Sequence, residues 1–115
     1  MIFVTGPMFS GKRTCICTLL GWTDSDLEQR AAVEVQELAG SGTPLEELAA
    51  KLSGYEVVTA SETGCGIVPI QREDRDKREA AGRLSCLLAK EADTVIRVCC
   101  GIPQLLKGEW PCRSN

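Results

Sequence analysis

Histidine is absent from all 115 residues, which removes every mechanism that needs an imidazole base, nucleophile or metal ligand. Chemistry on this chain falls to carboxylates, lysine, arginine, hydroxyls, thiols and backbone amides. Aromatic residues make up only 4% of the sequence, so Trp22 and Trp110 are expected to pack or to cap an interface, not to serve as base-stacking platforms. No apolar run approaches the ~20 residues of a membrane span, and the N-terminus reads as strand and loop, not as a charged leader. Positive charge is not in excess either. The net charge of −3 offers nothing to a nucleic acid or an anionic membrane. Together these absences lead us to expect a cytoplasmic protein with neither a nucleic-acid nor a membrane partner.

What is present fits one compact domain spanning residues 1–115, with 43% hydrophobic residues to build a single core. The seven cysteines are odd in number and lack Cys-x-x-Cys spacing, so zinc sites and redox pairs are not indicated. Reduced thiols filling core space is the expected use. Cys15 and Cys17 point to different sides of a helix, Cys99 and Cys100 to opposite faces of a strand, and Cys65 sits between two glycines in a loop.

Ile2-Phe3-Val4-Thr5 is an apolar strand that runs directly into Gly6-Pro7-Met8-Phe9-Ser10-Gly11-Lys12, a Gly-x4-Gly-Lys loop. This is how a phosphate-binding loop is built. The glycines let successive N–H groups converge, the following helix aims its positive end there, and Lys12 reaches the terminal phosphates. After Gly-Lys a Ser or Thr ordinarily supplies a hydroxyl to Mg²⁺; Arg13 stands there, with Thr14 one residue late. On a helix that step is a turn of ~100°, and a guanidinium binds phosphate but never a metal. The expected ligand is ATP or GTP on Gly6 through Thr14, with Mg²⁺ in a weakened site.

The pattern alternates strand and helix. A first helix from the loop ends at Gly21, and Ser25-x-x-Glu28 reads as a capping box for a second, whose Leu27, Ala31, Val35 and Leu38 form one stripe. Gly40-Ser41-Gly42 breaks it, and Thr43 with Pro44 at the first helical position opens a third helix through Leu45, Leu48 and Leu52. Tyr55–Ala60 reads as strand, 71–92 as the longest helix, apolar at Ala81, Leu84, Leu87 and Leu88, and Thr94–Cys100 as strand, with Gly101-Ile102-Pro103 turning into a short hairpin. The predicted fold class is α/β: three layers in the manner of a P-loop NTPase, with a small, mainly parallel sheet and a C-terminal hairpin.

Ligands bind such sheets at the carboxyl ends of the strands. If the strands before Gly6 and Ser61 are neighbours, Glu62 is the acid best placed to hold Mg²⁺ or its waters, and with Lys12 it is a candidate catalytic residue. Arg72, Arg75, Arg78 and Arg83 bring positive charge to the long helix, but Asp74 with Arg78 and Arg75 with Glu79 are four apart and are expected to pair on a solvated face.

Glu62-Thr63-Gly64-Cys65-Gly66-Ile67-Val68-Pro69, then Arg78-Glu79-Ala80-Ala81-Gly82-Arg83-Leu84, Ala92-Asp93-Thr94-Val95 and Gly101-Ile102-Pro103 resemble the C-terminal half of the adenosylcobinamide kinase/adenosylcobinamide-phosphate guanylyltransferase family. Val4-Thr5-Gly6 through Ser10-Gly11-Lys12 resembles its phosphate loop. The resemblance implies phosphorylation of a corrinoid side-chain hydroxyl by a nucleoside triphosphate, then GMP transfer through a guanylyl-histidine, and a self-associating protein. It singles out Arg83, in the matched Gly-Arg pair, as a nucleotide-site candidate. Departures fall on the chemistry. Arg13 replaces a serine, Ser85-Cys86 replaces an Asn-Gln pair, and two helices over 25–52 are expected in place of the histidine-bearing region and the middle strands. Three readings follow: a reduced cobinamide kinase without guanylyl transfer, a non-catalytic nucleotide-binding sensor or partner subunit, and a scaffold in which only the fold persists.

Overall fold

In the computed structural model, which describes residues 1–40, 42–62 and 72–111, the strands are β1 (Ile2–Pro7), β2 (Ala31–Ala32), β3 (Val57–Glu62), β4 (Thr94–Cys99) and β5 (Ile102–Lys107). The helices are α1 (Lys12–Leu20), α2 (Asp24–Arg30), α3 (Leu45–Leu52) and α4 (Arg72–Glu91), with a 3-10 turn at Val35–Leu38. The strands lie in the order β2-β3-β1-β4-β5. β1 pairs in parallel with both β3 and β4, β2 runs parallel to β3, and β5 returns antiparallel along β4. This is the expected α/β class, a small, mainly parallel sheet ending in a hairpin.

Side-chain alternation splits the core into two layers. Phe3, Val58, Ala60 and Val95 face α3, α4 and the 3-10 turn, where Leu48, Leu52, Ala81, Leu84 and Leu88 meet them. Val4, Val57, Ile96 and Val98 face α1 and α2, against Cys15, Ile16, Leu20, Trp22 and Leu27. Helices therefore cover both faces, as a parallel sheet requires. Among the described residues no helix is long and apolar enough to cross a membrane.

Local signals explain most boundaries. Gly21 closes α1 in a left-handed conformation (φ 69°), its N–H donating to the Cys17 carbonyl. The second helix departs from its expected course at both ends. Thr23, not Ser25, caps it: the Thr23 hydroxyl accepts from the Asp26 N–H at 3.2 Å and the Asp26 carboxylate accepts from the Thr23 N–H at 3.0 Å. The helix stops at Arg30, because Ala31 turns extended (φ −122°, ψ 145°) and Ala31–Ala32 pairs with Val57–Val58. The Arg30 carbonyl accepts from the Glu56 N–H at 3.2 Å, and its side chain meets Glu56 at 2.6 Å. Helical periodicity through Leu27, Ala31, Val35 and Leu38 thus yields to an exposed strand edge that needed partners. A strand stands in the region where only helices were expected. Pro44 lies at the N-cap of α3, one place earlier than the first helical position.

The cysteines also depart from expectation. Of the five in the described residues, Cys15 is buried, Cys17 half-buried, and Cys86, Cys99 and Cys100 are exposed. Cys100 lies in the β4–β5 turn with φ 53°, not in the strand. Ser41, Cys65 and the rest of the matched segment from Thr63 to Pro69, Gln71 and Cys112 lie outside the described residues, as do the side chains of Arg72 and Asp74.

Candidate phosphate-binding site

β1 and β3 are neighbours in register, Gly6 opposite Ser61 and Pro7 opposite Glu62, so the two strands end together. The loop after β1 and the first turn of α1 wall a cavity of about 380 Å³ formed by Met8 through Thr14 with Glu34, Thr59 and Ser61. Its geometry depends on two glycines. Gly6 has φ 154°, and a Cβ there would overlap the Val98 main-chain carbonyl of β4. Gly11, the N-cap of α1 with φ 90°, lies so close to the β4–β5 turn that a Cβ would stand 3.3 Å from Gly101 Cα. The turn braces the loop through the Gly101 N–H, which donates to the Ser10 carbonyl at 2.7 Å. From the other side, the Cys15 thiol donates to the Gly101 carbonyl at 3.3 Å.

Lys12 is the centre of the site. Although a charged residue, it is only 6% exposed, and burial of an ammonium requires partners. Its Nζ donates to the Pro7 carbonyl and to Ser61 Oγ, each at 3.0 Å, and lies 3.9 Å from Glu34 Oε1. Glu34 is tied in turn: its Oε2 accepts from Ser61 Oγ at 2.7 Å and from Gln36 Nε2 at 2.6 Å. The Gln36 side-chain carbonyl accepts from the Ser61 N–H at 2.9 Å, and the Glu34 N–H donates to Thr59 Oγ1 at 3.0 Å. These bonds hold Glu34 in a left-handed conformation (φ 57°), a strain of order 1–2 kcal/mol for a non-glycine residue. Ser10 Oγ is buried without a partner among the described residues.

The sequence-predicted residues divide. Met8, Phe9, Ser10, Gly11, Lys12, Arg13 and Thr14 line the cavity, and Gly6 and Pro7 lend their carbonyls to Lys12. Arg83 does not join them: it is exposed on α4 and paired with Glu79 at 3.2 Å. Thus Glu79 has Arg83, one turn on, as an ion-pair partner. Glu62, expected to face the phosphates, lies outside the cavity wall. Alternation puts Ser61 with Thr59 toward Lys12, and Glu62 with Ala60 toward α4. There Glu62 is held by Arg97 through two bonds of 2.7 and 3.0 Å. Hydrogen bonding from that guanidinium holds its carboxyl below the usual carboxylate range.

Glu34 is the acid that faces the loop, and sequence reasoning missed it. The available signal was Ala31-Ala32-Val33 ending in an acid, the same strand-then-carboxylate pattern that pointed to Glu62. Burial pushes the Cys15 and Cys17 thiols above their ordinary range. No cluster of three or more acidic or thiol side chains among the described residues is arranged to hold a metal by itself.

Residues 15–106 match the cobinamide kinase/cobinamide phosphate guanyltransferase family, a span that begins just beyond the glycine-lysine loop. The bifunctional adenosylcobalamin biosynthesis protein CobP of Pseudomonas aeruginosa is 34% identical over 74 residues, which cover 64% of this chain and 43% of that protein. The aligned part thus spans less than half the length of that curated relative. With a parallel sheet, a loop-and-lysine cavity at its carboxyl ends and a match that runs from α1 to β5, the chain belongs to the cobinamide kinase/cobinamide phosphate guanyltransferase family.

Proposed function

We propose that this chain binds a purine nucleoside triphosphate on Gly6 through Thr14 and acts in cobinamide salvage or biosynthesis as a reduced kinase. The observation that carries this reading is the Lys12 ammonium, 6% exposed at the carboxyl ends of β1 and β3, in a cavity also lined by Ser10, whose hydroxyl has no partner among the described residues. An anion arriving there gains the loop amides, the α1 N-terminus and a cation already desolvated. The family's description, cobinamide kinase, supports a cobinamide as the acceptor. In the transfer, the acceptor's hydroxyl oxygen bonds to the γ-phosphorus as the bond to the β-phosphate oxygen breaks. The hydroxyl proton passes to a carboxylate and the nucleoside diphosphate leaves.

Glu34 is the carboxylate proposed to face the triphosphate. Both of its hydrogen bonds among the described residues fall on Oε2, which leaves Oε1 toward Lys12 and the cavity. Mg²⁺ is held by one or two carboxylates together with phosphate oxygens and waters, and this donor set fits that demand once a nucleotide is present. Glu34 would hold it together with phosphate oxygens and waters; the ion's contribution is neutralisation of phosphate charge. Arg13 replaces the usual hydroxyl and adds a cation for the phosphates instead. No guanylyl-histidine forms on a chain without histidine, so the second activity of the full-length relatives is not proposed for it. A non-catalytic nucleotide-binding subunit is the second reading, favoured by the Arg13 substitution.

Calorimetric titration of ATP and GTP, with and without Mg²⁺, tests the binding. Lys12→Ala should weaken it by about tenfold to a hundredfold, the cost of a charge-assisted bond of ~1.5–3 kcal/mol. Absence of heat with both nucleotides refutes the proposal. Incubation with adenosylcobinamide and labelled triphosphate separates the readings, since corrinoid that stays unphosphorylated leaves only the binding subunit.

A further inference from the structure

Two cysteines stand side by side where the sheet turns. Cys99 is the last residue of β4 and pairs with Ile102, and Cys100 opens the turn into β5; both are free thiols exposed to solvent. Neither lines the phosphate cavity. On a continuous strand the two side chains would point to opposite faces. Cys100, however, has φ 53°, against about −120° to −140° for a strand residue. That difference is roughly half a revolution about the N–Cα bond, and it brings the Cys100 side chain round to the side of Cys99.

We propose that Cys99 and Cys100 form a dithiol site that captures a soft centre satisfied by two sulfurs, of which trivalent arsenic in an organic arsenoxide is the type. Three constraints select this chemistry. Adjacent Cα atoms are ~3.8 Å apart, short of the ~4.4–6.8 Å of an ordinary disulfide, so a direct S–S bond is disfavoured and the thiols stay available. An atom inserted between them removes the conflict. With bonds to sulfur of ~2.3 Å, two sulfurs on one centre stand up to ~4.6 Å apart, within reach of staggered side chains on neighbouring residues. Zinc, by contrast, asks for four ligands, and no group of three or more metal-binding side chains exists among the described residues. A pair of thiols therefore selects a thiophile of low coordination number.

The capture is a condensation. Each thiol sulfur bonds to arsenic, the arsenic–oxygen bond breaks, and the two thiol protons leave with that oxygen as one molecule of water. Arsenic stays trivalent, and no electrons are exchanged. The product is a ring closed over the Cys99–Cys100 peptide, and it forms whether or not a nucleotide binds at the loop.

Phenylarsine oxide is titrated into the reduced protein and into Cys99→Ser, Cys100→Ser and Cys86→Ser, with free thiols counted and the adduct weighed by mass spectrometry. Wild type should take up one equivalent at the pair and lose two thiols per arsenic. Either serine variant at the pair should weaken capture at least about tenfold, because the remaining sulfur lacks a partner held at high effective concentration. Cys86→Ser, which removes an exposed thiol of α4, should match wild type within about twofold, and all variants should melt near wild type. Arg97 and Lys107 bracket the pair, so trypsin releases residues 98–107, which hold these two cysteines and no other. The arsenic should travel with that peptide, a readout on wild type that decides even where a variant melts early. Equal affinity in wild type and either pair variant overturns the proposal, as does arsenic absent from that peptide or one thiol lost per arsenic.

Discussion

Alanine at Gly6 and alanine at Gly82 should move stability in opposite directions, for reasons visible at the two positions. Gly6 has φ 154°, a region essentially closed to residues with a Cβ, and the new methyl would overlap the Val98 carbonyl while standing 3.0 Å from Ser10 Oγ. The Val98 carbonyl belongs to β4, which pairs with β1 at the centre of the sheet, so relief means parting two core strands. The backbone term is of order 1–3 kcal/mol and overpacking adds about the same again, for a total of about 3–5 kcal/mol. That is a large share of the ~5–15 kcal/mol that holds a domain folded. At roughly 4–8 °C per kcal/mol, Tm should fall by about 15 °C or more. Gly82→Ala removes a helix-interior glycine where nothing among the described residues obstructs a methyl, and should gain about 0.5–1 kcal/mol. Urea and thermal unfolding of both variants beside wild type read out the contrast. Gly6→Ala within about 0.5 kcal/mol of wild type, the range of neutral surface changes, would refute the account of how β1 is packed against β4.

Three further outcomes follow from the site and its surroundings. Glu34→Gln should lower Mg²⁺-dependent triphosphate affinity by about tenfold while leaving metal-free affinity nearly unchanged, as loss of a metal-holding carboxylate does; calorimetry with and without EDTA decides. The Glu62–Arg97 pair should stabilise the fold only where Glu62 is ionised. Its folded pKa is depressed below 4.5, so the contribution is full above the unfolded value and disappears as pH falls through the folded one. The difference in urea midpoint between wild type and Glu62→Gln should therefore be present at pH 7 and shrink in strong acid; a constant difference would show that the pair's charge is not the cause. Thr23→Ala removes the cap of α2 and should cost about 1 kcal/mol, against no measurable loss for Ser25→Ala.

Several elements were legible because their causes are local. Gly6, Gly11 and Lys12 announce their loop by spacing, Gly21 ends α1 where a left-handed residue is needed, and Ala81, Leu84 and Leu88 fall on one face of α4 by helical period alone. Tyr55 through Ala60 and Thr94 through Cys100 read as strands because apolar β-branched runs fit a buried parallel sheet, and the strands run Val57–Glu62 and Thr94–Cys99, shifted by two residues and shortened by one. The same local rules misplaced the middle of the chain. Ala31 and Ala32 satisfy a helical stripe with Leu27 and Val35 as well as they satisfy a strand, and only the unpaired edge of β3 chooses between them.

By itself, the sequence determined the α/β class, the glycine-lysine loop after β1, the lack of an imidazole in these 115 residues and the family, all of which depend on residue type and near-neighbour spacing. Tertiary structure alone decided which acid faces Lys12. Glu34 comes from a segment 22 positions downstream, brought in by a two-residue strand, whereas Glu62, although next to Ser61, turns to the other face and to Arg97. The physical reason is that a pleated sheet sends adjacent side chains to opposite layers, and that strand pairing joins residues whose separation along the chain carries no information about their separation in space.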